Sequence, residues 1–176
     1  MNILDTIDIA KLDLVKYPDP RLREVCRTVE VFDDRLRALT EKMFAIMYER
    51  NGVGLAGPQV GVPLRLFTAN PTLEPADERV YINPTILKND GRQDGDEGCL
   101  SFPGIFCKIK RFNVTTIQAQ DLTGESFTET GEGLLARIFQ HESDHLAARL
   151  LVDRMSVAAK LANRRAIKNL EAVFAD

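Results

Sequence analysis

The chain has no tryptophan, only two histidines and only three cysteines among its 176 residues. Cys26, Cys99 and Cys107 are odd in number and too few for a disulfide framework, so at least one thiol is free. No stretch approaches the ~18 consecutive apolar residues of a membrane span. The opening MNILDTIDIAKLDL is acidic and lacks the basic start and apolar block of a secretion signal. Nor is there an excess of one charge: 23 Lys and Arg face 26 Asp and Glu, for a net charge of -3. That balance speaks against a protein that coats nucleic acid or adheres to anionic lipid, so neither DNA nor a membrane is expected as a partner. With 11 Gly and 8 Pro, collagen-like and disordered classes are excluded as well. What remains is an ordinary globular chain long enough for one core, with the cytoplasm as its default compartment and one domain expected over 1–176.

Within that chain, residues 1–31 read as an extended arm, because Tyr17-Pro18-Asp19-Pro20 resists helix formation. Asp33 or Asp34 can cap a helix over 34–50, in which Leu36, Leu39, Met43, Ile46 and Met47 recur at helical spacing before Asn51-Gly52 ends it. Four glycines between 52 and 63 rule out a regular helix and bring backbone close to something. Strands are predicted at 64–69, 79–82, 112–120 and about 125–129. A second helix follows Gly133 and runs to about Arg149, and a third spans about 156–174. The fold class is α+β: antiparallel sheets packed around a central helix, with a C-terminal helix.

The two histidines stand four apart, in His141-Glu142-Ser143-Asp144-His145. On a helix this H-E-x-x-H puts both imidazoles on one face, one turn apart, where they can grip one metal ion, with Glu142 alongside. With 12 Glu and two His, chance would produce the pattern in roughly one shuffled chain in a thousand. The competing reading is a pair of packed core histidines. A catalytic site of this type uses three protein ligands and an open position for water, so a third ligand must come from elsewhere. The metzincin continuation is absent, since Ala148 and Leu151 stand where Gly and His are required. Glu171 could serve in the thermolysin manner, but it lies near the C-terminus. Cys99, in Glu97-Gly98-Cys99-Leu100-Ser101, is the favoured candidate, because a thiolate is a strong ligand for iron or zinc. A lone cysteine is otherwise most often a small core residue, and Cys26 and Cys107 are read as ordinary thiols.

Three segments in order, Gly52-Val-Gly54-Leu-Ala56-Gly-Pro-Gln59, Glu97-Gly98-Cys99-Leu-Ser101 and His141-Glu142-Ser-Asp144-His145, closely resemble the motifs G-x-G-x-A-x-x-Q, E-G-C-x-S and H-E-x-x-H of the peptide deformylase family. Tyr17-Pro18-Asp19-Pro20-x-Leu22-Arg23 is similar to the family's opening arm, so the resemblance covers about residues 14–155. It departs mildly at Gly57 and Ser143, where alanine and an apolar residue are common. The resemblance implies an enzyme that removes the formyl group from the initiator methionine of nascent peptides. One metal ion per chain would be held by Cys99, His141 and His145. Fe2+ is the family's usual metal, and Zn2+, Ni2+ or Co2+ are alternatives. Glu142 would act as general base, and the Gln59 side-chain amide and the Leu100 backbone N–H would stabilise the oxyanion.

For an apolar methionine slot the candidates are Val53, Leu134 and Ile138, with Gly54 leaving room for substrate. Asp144 and a Glu97–Arg111 pair are expected in supporting roles, and Arg137 lies near the histidine face. Lys160, Arg164, Arg165 and Lys168, with no acid between them, suggest a weak contact with ribosomal RNA. Two other classes stay open: a zinc endopeptidase using Glu171 as third ligand, and a catalytically silent metal-stabilised binding module.

Overall fold

The computed structural model describes residues 3–175. Helix α1 spans Asp34–Glu49, and the Asp33 carboxylate accepts a hydrogen bond from the Leu36 N–H at 3.0 Å, satisfying one of the donors that a helix start leaves unpaired. Strands β1 (Gly54–Ala56), β2 (Leu66–Ala69), β3 (Arg79–Asp90), β6 (Val114–Gln120) and β7 (Ser126–Glu132) form one antiparallel sheet in the order β1-β2-β3-β6-β7. Strands β4 (Gln93–Gly98) and β5 (Phe106–Arg111) make a separate two-stranded ribbon. Helix α2 spans Leu134–Leu146, and α3 (Leu151–Arg154), α4 (Val157–Ala162) and α5 (Arg164–Ala175) complete the chain.

Alternation along the strands divides the core in two. Leu55, Leu66 and Ile82 turn to one face, where they meet Leu36, Leu39, Met43 and Met47 of α1. Their neighbours Ala56, Phe67 and Tyr81 turn to the other, where they meet Ile138 and Phe139 of α2. The five-stranded sheet is thus sandwiched between the two helices. A third apolar cluster joins Val15 and Leu22 of the N-terminal arm to Phe102, Ile105, Leu151 and Met155, with Ile167 and Leu170 of α5 packed against it. Helix α2 is buried on nearly all sides, with ten of its 13 residues inside, which is what places its polar face in the interior.

Several boundaries differ from expectation, each for a local reason. The second helix stops at Leu146 rather than near Arg149 because Ala148 takes a left-handed backbone conformation, φ 56°. The C-terminal helix is two helices, parted at Asn163. The strand predicted at 79–82 continues to Asp90, crossing two register irregularities against β6. The glycine-rich segment contains the short strand β1. Strands β4 and β5 were not expected: Gln-Asp-Gly-Asp-Glu-Gly has no strand propensity and is extended because β5 pairs with it residue for residue.

Phe139 is fully buried, edge-on to Tyr81 at 5.1 Å between ring centroids and tilted against Phe67 at 6.4 Å. Phe139→Ala is expected to cost about 3–5 kcal/mol in chemical denaturation, because this ring is the joint between α2 and the sheet.

Candidate metal centre

Helix periodicity brings His141 and His145 to one face, with their Nε2 atoms 3.3 Å apart. The turn that follows β4 carries Cys99 to the same point, with Sγ 3.3 Å from His145 Nε2. The three donor atoms all lie within 4.8 Å of one another, and among the described residues they are the group suited to holding a metal ion. Bonds of about 2.0–2.3 Å to one ion at tetrahedral angles would set such atoms about 3.3–3.7 Å apart, so the spacing fits a shared cation. The chemistry of the donor set agrees: a thiol and two imidazoles suit iron, zinc, nickel or cobalt.

The imidazoles are oriented by what lies behind them. His141 Nδ1 is 2.7 Å from Glu97 Oε1, so the ring donates from Nδ1 and turns the Nε2 lone pair toward Cys99 and His145. Glu97 also accepts from Arg111 Nη2 at 2.6 Å, Arg111 Nε at 3.0 Å and Arg137 Nη1 at 2.8 Å. Arg111 Nη1 reaches on to Asp144 Oδ2 at 2.7 Å, and Asp144 accepts from Arg154 as well. The expected Glu97–Arg111 pair and the supporting role of Asp144 are therefore parts of one buried network. Arg137, expected near the histidine face, is buried in this network, and it also donates to the Ile109 carbonyl at 3.1 Å. Burial pushes the Glu97 carboxyl up, but the hydrogen bonds from His141 and Arg111 outweigh this and hold it well below the usual carboxylate range. Burial lowers the His145 pKa, and the neighbouring charge of His141 lowers it further.

Glu142 lies beside this centre with its Oε2 buried and, among the described residues, unpaired. Burial raises its pKa to about 7, offset in part by His141. The carboxylate fits because residue 54 is glycine: a Cβ there would lie 2.5 Å from Glu142 Oε1. Gln59, in the turn after β1, accepts from the Ala56 N–H at 2.9 Å through Oε1, which directs its Nε2 toward Ser101 Oγ at 3.2 Å and Cys99 Sγ at 3.5 Å. Val53, Gly54, Gln59, Cys99, Leu100, Leu134, Ile138, His141 and Glu142 all line one cavity of about 690 Å³, with His145 set just behind. Leu134 stands at its mouth, 49% exposed, while Ile138 lies deep within it. Ser101 closes the E-G-C-x-S motif but was given no role of its own, and here it accepts from Gln59; Phe106 was missed, and nothing in the local pattern marks it. Glu171 is elsewhere: it accepts a hydrogen bond from the Tyr17 hydroxyl at 2.9 Å, which removes the third ligand of the endopeptidase reading.

A family model described as polypeptide deformylase matches residues 11–160. The chain belongs to the polypeptide deformylase family. A peptide deformylase of Acidobacterium capsulatum is 43% identical over 160 residues, covering 90% of this chain and 94% of that protein. The chloroplastic peptide deformylase 1B of Oryza sativa is 45% identical over 163 residues. This chain spans 61% of that plant protein's length, and 54% of a similar relative in Arabidopsis thaliana. Among solved structures, a plant peptide deformylase matches with a TM-score of 0.90 at 42% identity, over 93% of this chain and 91% of that one. One from Legionella pneumophila matches with a TM-score of 0.86 at 39% identity, over 93% and 97%. The deformylase fold is therefore shared along nearly the whole length described.

Removing Glu97 leaves Arg111 and Arg137 buried without their shared counter-charge and His141 without its orienting acceptor. Glu97→Ala is expected to lose about 3–5 kcal/mol of stability in chemical denaturation. Zinc affinity, measured by competition with a chromogenic chelator, should fall about 10–100-fold.

Proposed function

We propose that this protein removes the N-formyl group from the N-terminal formyl-methionine of nascent peptides, releasing formate, and that residues 1–176 act as a single metal-hydrolase unit. The observation that carries this reading is the convergence of Cys99, His141 and His145 beside an unpaired buried carboxylate, in a member of the deformylase family.

In this reading Cys99, His141 and His145 hold one divalent cation, Fe2+ by preference, with Zn2+, Ni2+ or Co2+ as substitutes. A cation so held supplies two things: acidification of water toward a pKa of about 7 and polarisation of the formyl carbonyl. Glu142 takes the proton of the attacking water and returns it to the leaving amine, which a carboxyl in this environment is suited to do. As the formyl oxygen gains charge, the Gln59 amide and the Leu100 backbone N–H donate to it. Two features support this: Gln59 Oε1 is already committed to Ala56, and among the described residues nothing accepts from the Leu100 N–H. Val53 and Ile138, with Leu134 at the mouth, form the slot for the methionine side chain, and glycine at 54 leaves room there because a Cβ would press on both Glu142 and Ile138.

The cytoplasm is the proposed compartment, which suits three free cysteines. Two plant relatives are named for chloroplasts or for chloroplasts and mitochondria. No described helix is long and apolar enough to cross a membrane. Lys160, Arg164, Arg165 and Lys168 are all exposed at the C-terminal end, which supports a weak contact with ribosomal RNA near emerging chains.

Formate release from a formyl-methionyl peptide by Fe(II)-loaded protein under oxygen-free conditions is the direct test, with silence of the correctly loaded protein as the adverse result. Chelation should abolish the activity, and Fe(II) should restore it. Glu142→Gln should retain the metal and lower kcat about 10²–10⁴-fold. Cys99→Ser should lose or markedly weaken metal binding, whereas a site built on the histidines alone would keep it.

A further inference from the structure

This inference rests on the deformylase reading and concerns how a substrate is chosen beyond its methionine. Strand β5 alternates strictly: Cys107, Ile109 and Arg111 turn inward, and Phe106, Lys108 and Lys110 turn outward. Two of the outward positions carry charge, as a solvent face requires. The third carries a phenyl ring that is 68% exposed. A single exposed aromatic means little by itself. Phe106 is set apart by its position, on the rim of the cavity that contains Cys99, His141 and Glu142.

Phe106 pairs across the ribbon with Gly98, the residue just before the thiol. Its ring is seated on that glycine: a Cβ at position 98 would lie 2.6 Å from Phe106 Cε1 and 2.9 Å from Cδ1. Only the missing side chain lets the ring come so close to the backbone beside the metal centre, and the rest of the residue is open to solvent at the cavity mouth. Of the exposed side chains on this rim, Lys16, Glu49 and Asp96 carry charge, whereas Phe106 and Leu134 supply large apolar surface. The cavity, about 690 Å³, has the size of clefts that enclose ligands larger than one side chain. An extended peptide advances about 3.3 Å per residue, so the residues following a methionine held at the centre pass along this rim.

We infer that Phe106 forms an apolar subsite at the cavity mouth that favours formylated peptides with a bulky apolar side chain at the first or second position after the methionine. The test compares kcat/KM of the Fe(II)-loaded protein on formyl-methionyl tetrapeptides carrying Leu, Phe, Ser or Asp at position two or three. The wild-type protein is expected to prefer Leu or Phe over Ser by about tenfold at one of these positions, expressed chiefly in KM. In Phe106→Ala and Phe106→Lys that ratio should fall to within about twofold of unity. Thermal unfolding of each variant reports that it is folded. A wild-type preference that survives both substitutions overturns the subsite, as does a wild-type protein indifferent to these residues while turning over every peptide. Turnover of no formyl peptide by the loaded wild-type protein is the distinct result that removes the deformylase reading and the subsite with it.

Discussion

Glu97 is the carboxylate on which the rest of the site depends. It is the penultimate residue of β4, and in one buried position it accepts hydrogen bonds from His141 of α2, from Arg111 of β5 and from Arg137 of α2. This side chain, two residues from Cys99, fastens the ribbon to the helix, and the Arg111–Asp144 and Arg137–Ile109 contacts add to the joint. Taking so much charge out of water is costly unless each group is paired, and here each is: the two arginines share Glu97, and Arg111 also meets Asp144. The network fixes the tautomer of one imidazole while fixing the distance between the thiol and both rings.

The architecture explains how so polar a helix can be central. Helix α2 uses Ile138 and Phe139 to pack on the sheet, and its remaining faces carry His141, Glu142, Asp144, His145 and Arg137 into the interior. A polar helix placed there would be unstable without partners. The two-stranded ribbon and the turn after β4 supply them: Glu97 meets His141 and Arg137, Arg111 meets Asp144, and Cys99 meets His145. Among the described residues three buried side-chain atoms stay unpaired: Arg50 Nε lies apart, whereas Glu142 Oε2 and His145 Nδ1 belong to the same constellation, where chemistry rather than stability sets the requirement.

Much of this was legible in the residues. Helix α1 was marked by its cap and by apolar spacing, and both held to within a residue. The three motifs identified the donor atoms, the carboxylate and the amide that the fold brings together. The Glu97–Arg111 pair was foreseen as a possibility, but its reach to His141, Arg137 and Asp144 was not. The ribbon itself was invisible, because Asp94, Gly95 and Asp96 are poor strand formers, and only pairing with Lys108, Ile109 and Lys110 makes them extended. Phe106 carried no signal either, since it lies in the same unrecognised ribbon, where no element was expected.

What the sequence determined by itself was local: two imidazoles one turn apart, a carboxylate beside them, and a glycine at each point where backbone and side chain crowd. Those follow from bond geometry and helical period, which act over a few residues. Tertiary structure alone decided that a thiol 46 positions before His145 would meet it at 3.3 Å. It also decided that one carboxylate would serve donors from three residues, and that a phenylalanine would stand at the cavity mouth. Each depends on strand pairing and on burial of charge between segments far apart in the chain, and no local pattern encodes either.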